Sequence, residues 1–160
     1  MIAAAVVTAS FPARADTPPL IWQGATTLAV QCLVQRGPFR SDPQLQAPLC
    51  AQVARLAARG APMRVRVAPI GDPALLAPST VTLLVHATVA DVRGTRALAF
   101  SIRPHRAGAE PLLFATAPQV VALSGANLGG AALDAALGNA LADTLPWQAR
   151  PGGAQPLPRS

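Results

Sequence analysis

The chain has 160 residues, 51% of them hydrophobic, and its 13 basic against 7 acidic side chains give a formal net charge of +6. This length fits one domain with a hydrophobic core, whereas two domains would each be too small. All the basic residues are Arg, they are dispersed along the chain, and no Tyr interleaves them for base stacking. The composition therefore argues against nucleic-acid binding, although the positive charge suits an acidic partner.

The first residues have the features of an export signal. An apolar run at residues 2–7 precedes the tripeptide Ala13-Arg14-Ala15, whose small first and third residues suit a signal peptidase. We therefore expect residues 1–15 to be a signal peptide, and the mature protein to be periplasmic or secreted. No basic residue precedes the apolar run and Pro12 interrupts it, so a disordered or helical amino terminus of a cytoplasmic protein is the alternative.

A strand and a helix are the first predicted elements. Residues 26–34 alternate between apolar and polar side chains, which predicts a half-buried strand. Ser41 or Asp42 can cap a helix that ends near Gly60, and we expect Pro48 to delay the start of that helix to about Ala47. The apolar positions of this helix recur at helical spacing: Leu45, Leu49, Val53 and Leu56.

Cys32 and Cys50 lie on this strand and this helix. The strand runs about 13 Å beyond Cys32, and the helix returns about 10 Å before Cys50, so both side chains reach one interface. In an exported protein this predicts a disulfide, and the alternative is a pair of buried free thiols. Because the sequence has no Cys-x-x-Cys motif, we predict no redox role.

Further strands follow in the middle of the chain. Residues 63–67, 80–92 and 97–103 alternate in polarity, and Arg93-Gly94 marks a turn between the second and the third of these segments. Residues 112–116 are expected to form one more strand. The segments at 80–92, 97–103 and 112–116 together predict an antiparallel meander.

A last helix is predicted by leucines that recur every four residues: Leu133, Leu137, Leu141 and Leu145. Ser124 or Asn127 can cap this helix, and Pro146 ends it. Proline and glycine repeatedly interrupt the uncharged stretch at 111–133, so we expect no transmembrane span after signal cleavage. Residues 148–160 are rich in Pro and Gly and are expected to be a disordered tail.

The element order β-α-β-β-β-β-α predicts an α+β two-layer sandwich formed by residues 16–147. We expect a mostly antiparallel sheet of four to five strands with both helices packed on one face.

The sequence supplies few residues for chemistry. It has two histidines and a single glutamate, Glu110, and no carboxylates cluster near a histidine. We therefore predict no catalytic residue, no metal ligand and no cofactor. If the protein were instead a small hydrolase-like enzyme, its site would draw on His86, Asp91 and Arg103.

The sheet face opposite the helices is the candidate interaction surface. The alternation of the strands places one set of side chains there: Arg64, Arg66, Thr82, Leu84, His86, Thr88, Ser101 and Arg103. A solvated face of this kind is ordinary, and the functional alternative is a docking surface for an acidic partner or for an added strand. We predict a non-enzymatic binding or envelope-assembly module with a protein partner in the cell envelope. A structural subunit of an envelope complex is a further alternative.

The signal-peptide hypothesis predicts a mature amino terminus at Asp16, directly after Ala13-Arg14-Ala15. Mass spectrometry of the protein isolated from its native compartment measures this terminus. Recovery of a chain that still carries Met1 in the cytoplasm would contradict the hypothesis.

Overall fold

The computed structural model describes residues 19–37, 40–109, 115–123, 128 and 130–149. The predicted signal peptide lies outside these residues. Two short 3-10 helices, Leu20–Trp22 and Pro73–Leu76, accompany the main elements. These elements are β1 (Thr27–Arg36), β2 (Arg40–Ser41), α1 (Pro43–Ala57), β3 (Arg64–Val67), β4 (Thr80–Val92), β5 (Thr95–His105), β6 (Gln119–Ala122) and α2 (Ala131–Ala142).

The strands form one six-stranded sheet, which confirms the α+β class. The strand path is β2-β1-β4-β5-β6, and β3 pairs with β1 on the edge that β2 also uses. The sheet is mixed: β1 runs parallel to both β3 and β4, and the other three pairings are antiparallel, as the predicted mostly antiparallel sheet requires. The predicted hairpin of β4 and β5 is confirmed, and β6 pairs antiparallel with β5.

Helix α1 begins at Pro43 and not near Ala47 as expected. Asp42 caps it, accepting a hydrogen bond from the backbone N–H of Leu45, and Pro43 occupies a position where no N–H bond is needed. Pro48 lies inside the helix and removes one backbone hydrogen bond. The helix continues through Pro48 because burial of the flanking apolar side chains outweighs that loss.

The last predicted strand, at residues 112–116, falls largely outside the described residues. Residues 110–114 lie outside the described part, and the strand that pairs with β5 is β6, which begins at Gln119. Thr116 still contacts β5, donating its backbone N–H to the Ile102 oxygen at 2.9 Å. Pro118 has no N–H to give to a ladder, so regular pairing starts only after it.

Helix α2 buries three of the four predicted leucines, Leu133, Leu137 and Leu141. The helix ends at Ala142 and not at Pro146, so Leu145 is buried beyond its end. The N-cap of α2 is Gly130, which provides no side-chain cap, and the expected caps Ser124 and Asn127 lie outside the described residues. Within the described chain, neither helix combines the length and hydropathy that crossing a membrane requires.

Both helices cover the same side of the sheet. Helix α1 packs on β1 and β3, and α2 packs on β5, β6 and α1. Between them lies a core of Leu, Val and Ile side chains around Phe100. We call the sheet side that faces the helices the inner face and the opposite side the outer face.

The chain after α2 packs against Trp22 and the end of α1. Trp147 packs edge to face on Trp22, with ring centroids 5.4 Å apart, and its indole N–H donates to the Ala57 oxygen. The Gln148 amide donates to the Leu56 oxygen at 2.8 Å and thereby caps α1. Gln148, which we had assigned to the tail, is therefore part of the folded domain.

The predicted disulfide between Cys32 and Cys50 is formed, with Cα atoms 5.7 Å apart. This confirms the pairing and excludes the alternative of two free thiols. Both cysteines are buried, and the bond fixes α1 to the inner face of β1. Such bonds persist in oxidising compartments and are rare in the reducing cytoplasm.

Reduction of this bond is expected to destabilise the fold by about 3 kcal/mol, because it releases a loop of 18 residues in the unfolded chain. Urea unfolding with and without dithiothreitol measures the change. The double variant Cys32→Ala/Cys50→Ala is the control and should not respond to the reductant. An unchanged midpoint for the reduced wild type would contradict the expectation.

Candidate interaction surface

Strand register arranges the outer face in rows. Leu33, His86 and Ser101 stand side by side on β1, β4 and β5. The next row toward the β4–β5 turn holds Gln35, Thr88, Ala99 and Val120. The side chains of one row are separated by the strand spacing of about 4.8 Å.

The arginines that we predicted for this surface have outer-face positions. Arg64 and Arg66 pair with Thr27 and Ala29 of β1, and Arg103 pairs with Leu84 of β4. Arg64 is exposed and Arg103 is half-buried. The docking role of these side chains stays a prediction.

Residues 69–79, which we call the strap, cross the outer face between β3 and β4. The Gln31 amide donates to the Pro69 oxygen at 3.3 Å, and the Arg66 guanidinium forms an ion pair with Asp72 at 2.7 Å. Gln31 and Arg66 both point outward from the sheet. Their contacts therefore place the strap on the side opposite the helices.

The strap corrects one part of the predicted surface. Thr82 is 2% exposed and Ala29 is fully buried, although both have outer-face positions. Thr82 cannot contact a partner there, because the crossing chain covers it. Its hydroxyl is buried without a hydrogen-bond partner among the described residues. Arg66 is half-buried and already paired, so it is a poor donor to a partner.

An ion pair fixes the start of the strap. Asp72 accepts hydrogen bonds from the Arg66 guanidinium and from the backbone N–H of Ala74. The Arg66 hydrogen bond, more than the Ala74 one, holds the pKa of Asp72 below its ordinary value. The carboxylate thus links β3 to the short helix within the strap.

Arg106 fixes the other end of the strap. Its guanidinium donates to the Pro78 oxygen at 2.6 Å, and to the oxygens of Ile21 and Gln23 at 3.1 and 2.5 Å. One side chain therefore joins the strap to the segment that precedes β1. The role of Arg106 could not be predicted from the sequence, because an Arg in a turn carries no local pattern that identifies carbonyl partners far along the chain.

Beyond the strap, the outer face holds an open depression of about 230 Å³. Its lining is neutral and partly apolar, formed by Leu33, Gln35, His86, Ala87, Thr88, Ala99, Phe100, Ser101 and Pro118. These amide, hydroxyl and imidazole groups can exchange hydrogen bonds with a partner. The lining contains no carboxylate that could act with the imidazole as an acid–base pair.

The residues suggested for an enzyme are not assembled. Asp91 lies five residues beyond His86 on β4, about 17 Å along the strand, and alternation turns it to the inner side. Arg103 lies on the outer face, one row away from His86. Across the described ranges, no group of three His, Cys, Asp or Glu side chains could hold a metal ion.

Comparison with known proteins finds remote structural likeness only. No protein-family model and no curated protein matches the sequence. A crystal structure of a PelC variant dodecamer from Paraburkholderia phytofirmans superposes with a TM-score of 0.48 and 12% identity, covering 74% of this chain and 87% of that chain. A PelC dodecamer from the same organism, in another crystal form, gives 0.45 and 17%, covering 80% and 91%. At these values the likeness assigns neither a family nor a function.

The ion pair of the strap predicts a pH-dependent stability. The pKa of Asp72 is lower in the folded chain than in the unfolded chain, so its carboxylate stabilises the fold above the unfolded pKa of about 4 and ceases to do so as the pH falls through the folded pKa. The wild type should therefore resist urea better than Asp72→Asn at pH 7, and this difference should shrink below about pH 4.

Urea titrations at a series of pH values measure this difference. Asp91→Asn is the matched control, because Asp91 is an exposed carboxyl on β4 away from the strap. A difference between wild type and Asp72→Asn that stays constant with pH would contradict the role of the carboxylate.

Proposed function

We propose that the protein is an exported, non-enzymatic binding or assembly module that acts in the periplasm or outside the cell. Its outer face, beyond the strap, contacts a protein partner of the cell envelope. The observation that carries the proposal is a sheet with one face covered by two helices, whereas no described element forms a second layer over the depression on the other face.

Export is supported by the disulfide between Cys32 and Cys50, which requires an oxidising compartment to form and persist. The residues around the apolar run at the amino terminus supply the corresponding signal in the sequence. The two lines of support are independent, since one is a pattern in the amino-terminal sequence and the other is a bond in the folded core.

Binding is supported by what the depression presents. It combines hydrogen-bonding groups, such as the Thr88 and Ser101 hydroxyls, with apolar Leu33 and Pro118 on a rigid sheet. A rigid surface loses little conformational entropy on binding, which favours recognition. The same groups offer no acid–base pair and no metal cluster in the described chain, so catalysis has no observation in its favour.

Blocking the depression with a bulky neutral side chain tests the proposal. Thr88 is exposed in the lining, so Thr88→Trp should fold and fill the site. Ala51→Trp is the matched control, because Ala51 is exposed on α1 in the opposite layer. Tagged proteins are expressed in the native organism, cross-linked and purified from the envelope fraction.

We expect the wild type and Ala51→Trp to yield the same cross-linked partner, and Thr88→Trp to lose it. Circular dichroism and thiol titration confirm that both variants fold with the disulfide intact. Retention of the partner by folded Thr88→Trp would contradict the proposal.

A further inference from the structure

On the premise of the proposed function, we infer that the outer face binds an extended protein segment. In this segment, acidic residues and aliphatic residues are separated by about four positions. The outer face has two chemically different ends, and their separation sets this spacing.

One end, which we call the apolar end, surrounds the β4–β5 turn and β6. Val120 is 71% exposed and Val92 is 56% exposed, and both project from the outer face. The intervening outer-face positions are alanines: Ala90, Ala97, Ala99 and Ala122. Small side chains keep this surface flat, so an aliphatic side chain of a partner can lie on it and leave water.

The other end, which we call the basic end, lies beside the strap. It carries Arg103, with His86 and His105 on neighbouring outer-face positions. Arg64 is three strands away, on β3. No outer-face strand position in the described chain holds Asp or Glu. Among the described carboxylates, Asp72 of the strap lies on this side, and it is already paired with Arg66.

The other acidic residues that the structure describes lie away from this surface, and Asp16 and Glu110 are outside the described residues. Asp42 caps α1, and Asp134 of α2 accepts hydrogen bonds from Gln52 and Arg55 of α1. Asp143 ends α2, and Asp91 turns to the inner side of β4. Within the described ranges, the carboxylates are thus segregated from the basic end, whose positive charge complements a negatively charged partner.

The distance between the two ends follows from the register. Ala99, which adjoins Val120, precedes Arg103 by four residues on β5, and these residues span about 14 Å. An extended segment of a partner covers the same distance with four residues. A partner in which acidic and aliphatic residues have this separation contacts both ends at once.

The chemistry of the surface favours protein over other anionic partners. The outer-face strand positions that are described carry no Phe, Trp or Tyr, which sugars and unpaired bases use as stacking platforms. A polyanion without apolar groups would leave Val120 and Val92 in water. An acidic and aliphatic protein segment satisfies both ends of the face.

A random dodecapeptide display library, selected against the oxidised full-length protein, tests this inference. We expect enriched peptides that carry Asp or Glu about four residues from Val, Leu or Ile. Fluorescence anisotropy with the strongest peptide should then give a dissociation constant that rises about tenfold in Arg103→Glu, the loss expected for one charge pair. The constant should also rise with salt concentration.

Arg59→Glu is the matched control, because Arg59 is exposed just after α1 in the helical layer, and it should leave peptide binding unchanged. Arg103→Gln provides a second reading if Arg103→Glu fails to fold. Chemical shifts of the Ala99 and Val120 amides should move with peptide.

Enriched peptides without acidic residues, no enrichment, or binding that Arg103 variants do not weaken would overturn the inference. Concentration-dependent self-association through the same amides would overturn it as well, in favour of a second copy of the chain. In each of these cases, loss of the native partner in Thr88→Trp would still support the proposed function, so the two failures are distinguishable.

Discussion

The pairing of β1 on both edges by parallel strands is the constraint from which the rest of the structure follows. Parallel neighbours require the chain to leave one end of the sheet and return to the other. Helix α1 makes the first return over the inner face, and the strap makes the second over the outer face. The first crossing leads from β1 to β3 over the inner face, and the second leads back past β1 to β4 over the outer face. The two crossings therefore have the same handedness, as is usual for connections between parallel strands. The disulfide secures the first crossing, and two arginines secure the second.

Local patterns predicted most of the elements but not this pairing. The alternation in β4, the leucines of α2 and the interface of Cys32 with Cys50 depend on neighbours within one or two elements, and each was correct. The parallel pairing of β3 depends on its contacts with β1, which is distant in sequence. Arg64 and Arg66 alternate with apolar residues in the same way in a parallel and in an antiparallel strand, so the pattern does not distinguish the two. For that reason the strap, and with it the burial of Thr82, could not be predicted. The start of β6 at Gln119 could not be predicted either, because the N–H that Pro118 lacks affects the hydrogen bonds of the ladder and leaves the polarity pattern unchanged.

The strap also divides the outer face into a covered part and an open part. Under the strap, the sheet is a second small core, in which Ala29 and Thr82 are buried. Beyond it, His86 and Ser101 line a depression that no described element covers. The docking role of the surface stays a prediction, and the burial of Thr82 removes that residue from it. Arg103 lies at the margin between the two parts, whereas Arg64 is exposed on β3, on the far side of the covered row.

The carbonyl contacts of Arg106 have a consequence for the order in which the chain can fold. The guanidinium joins Ile21 and Gln23, more than 80 positions earlier in the chain, to Pro78, 28 positions earlier. During synthesis from the amino terminus, the strap and the segment before β1 therefore lack their contacts with Arg106 until the chain beyond β5 has been made. Contacts of such long range slow folding, because much loop entropy is lost before they form. Until then the edge of β4 that later pairs with β5 is open to other chains, which is the interval in which a chaperone or an early partner would have access.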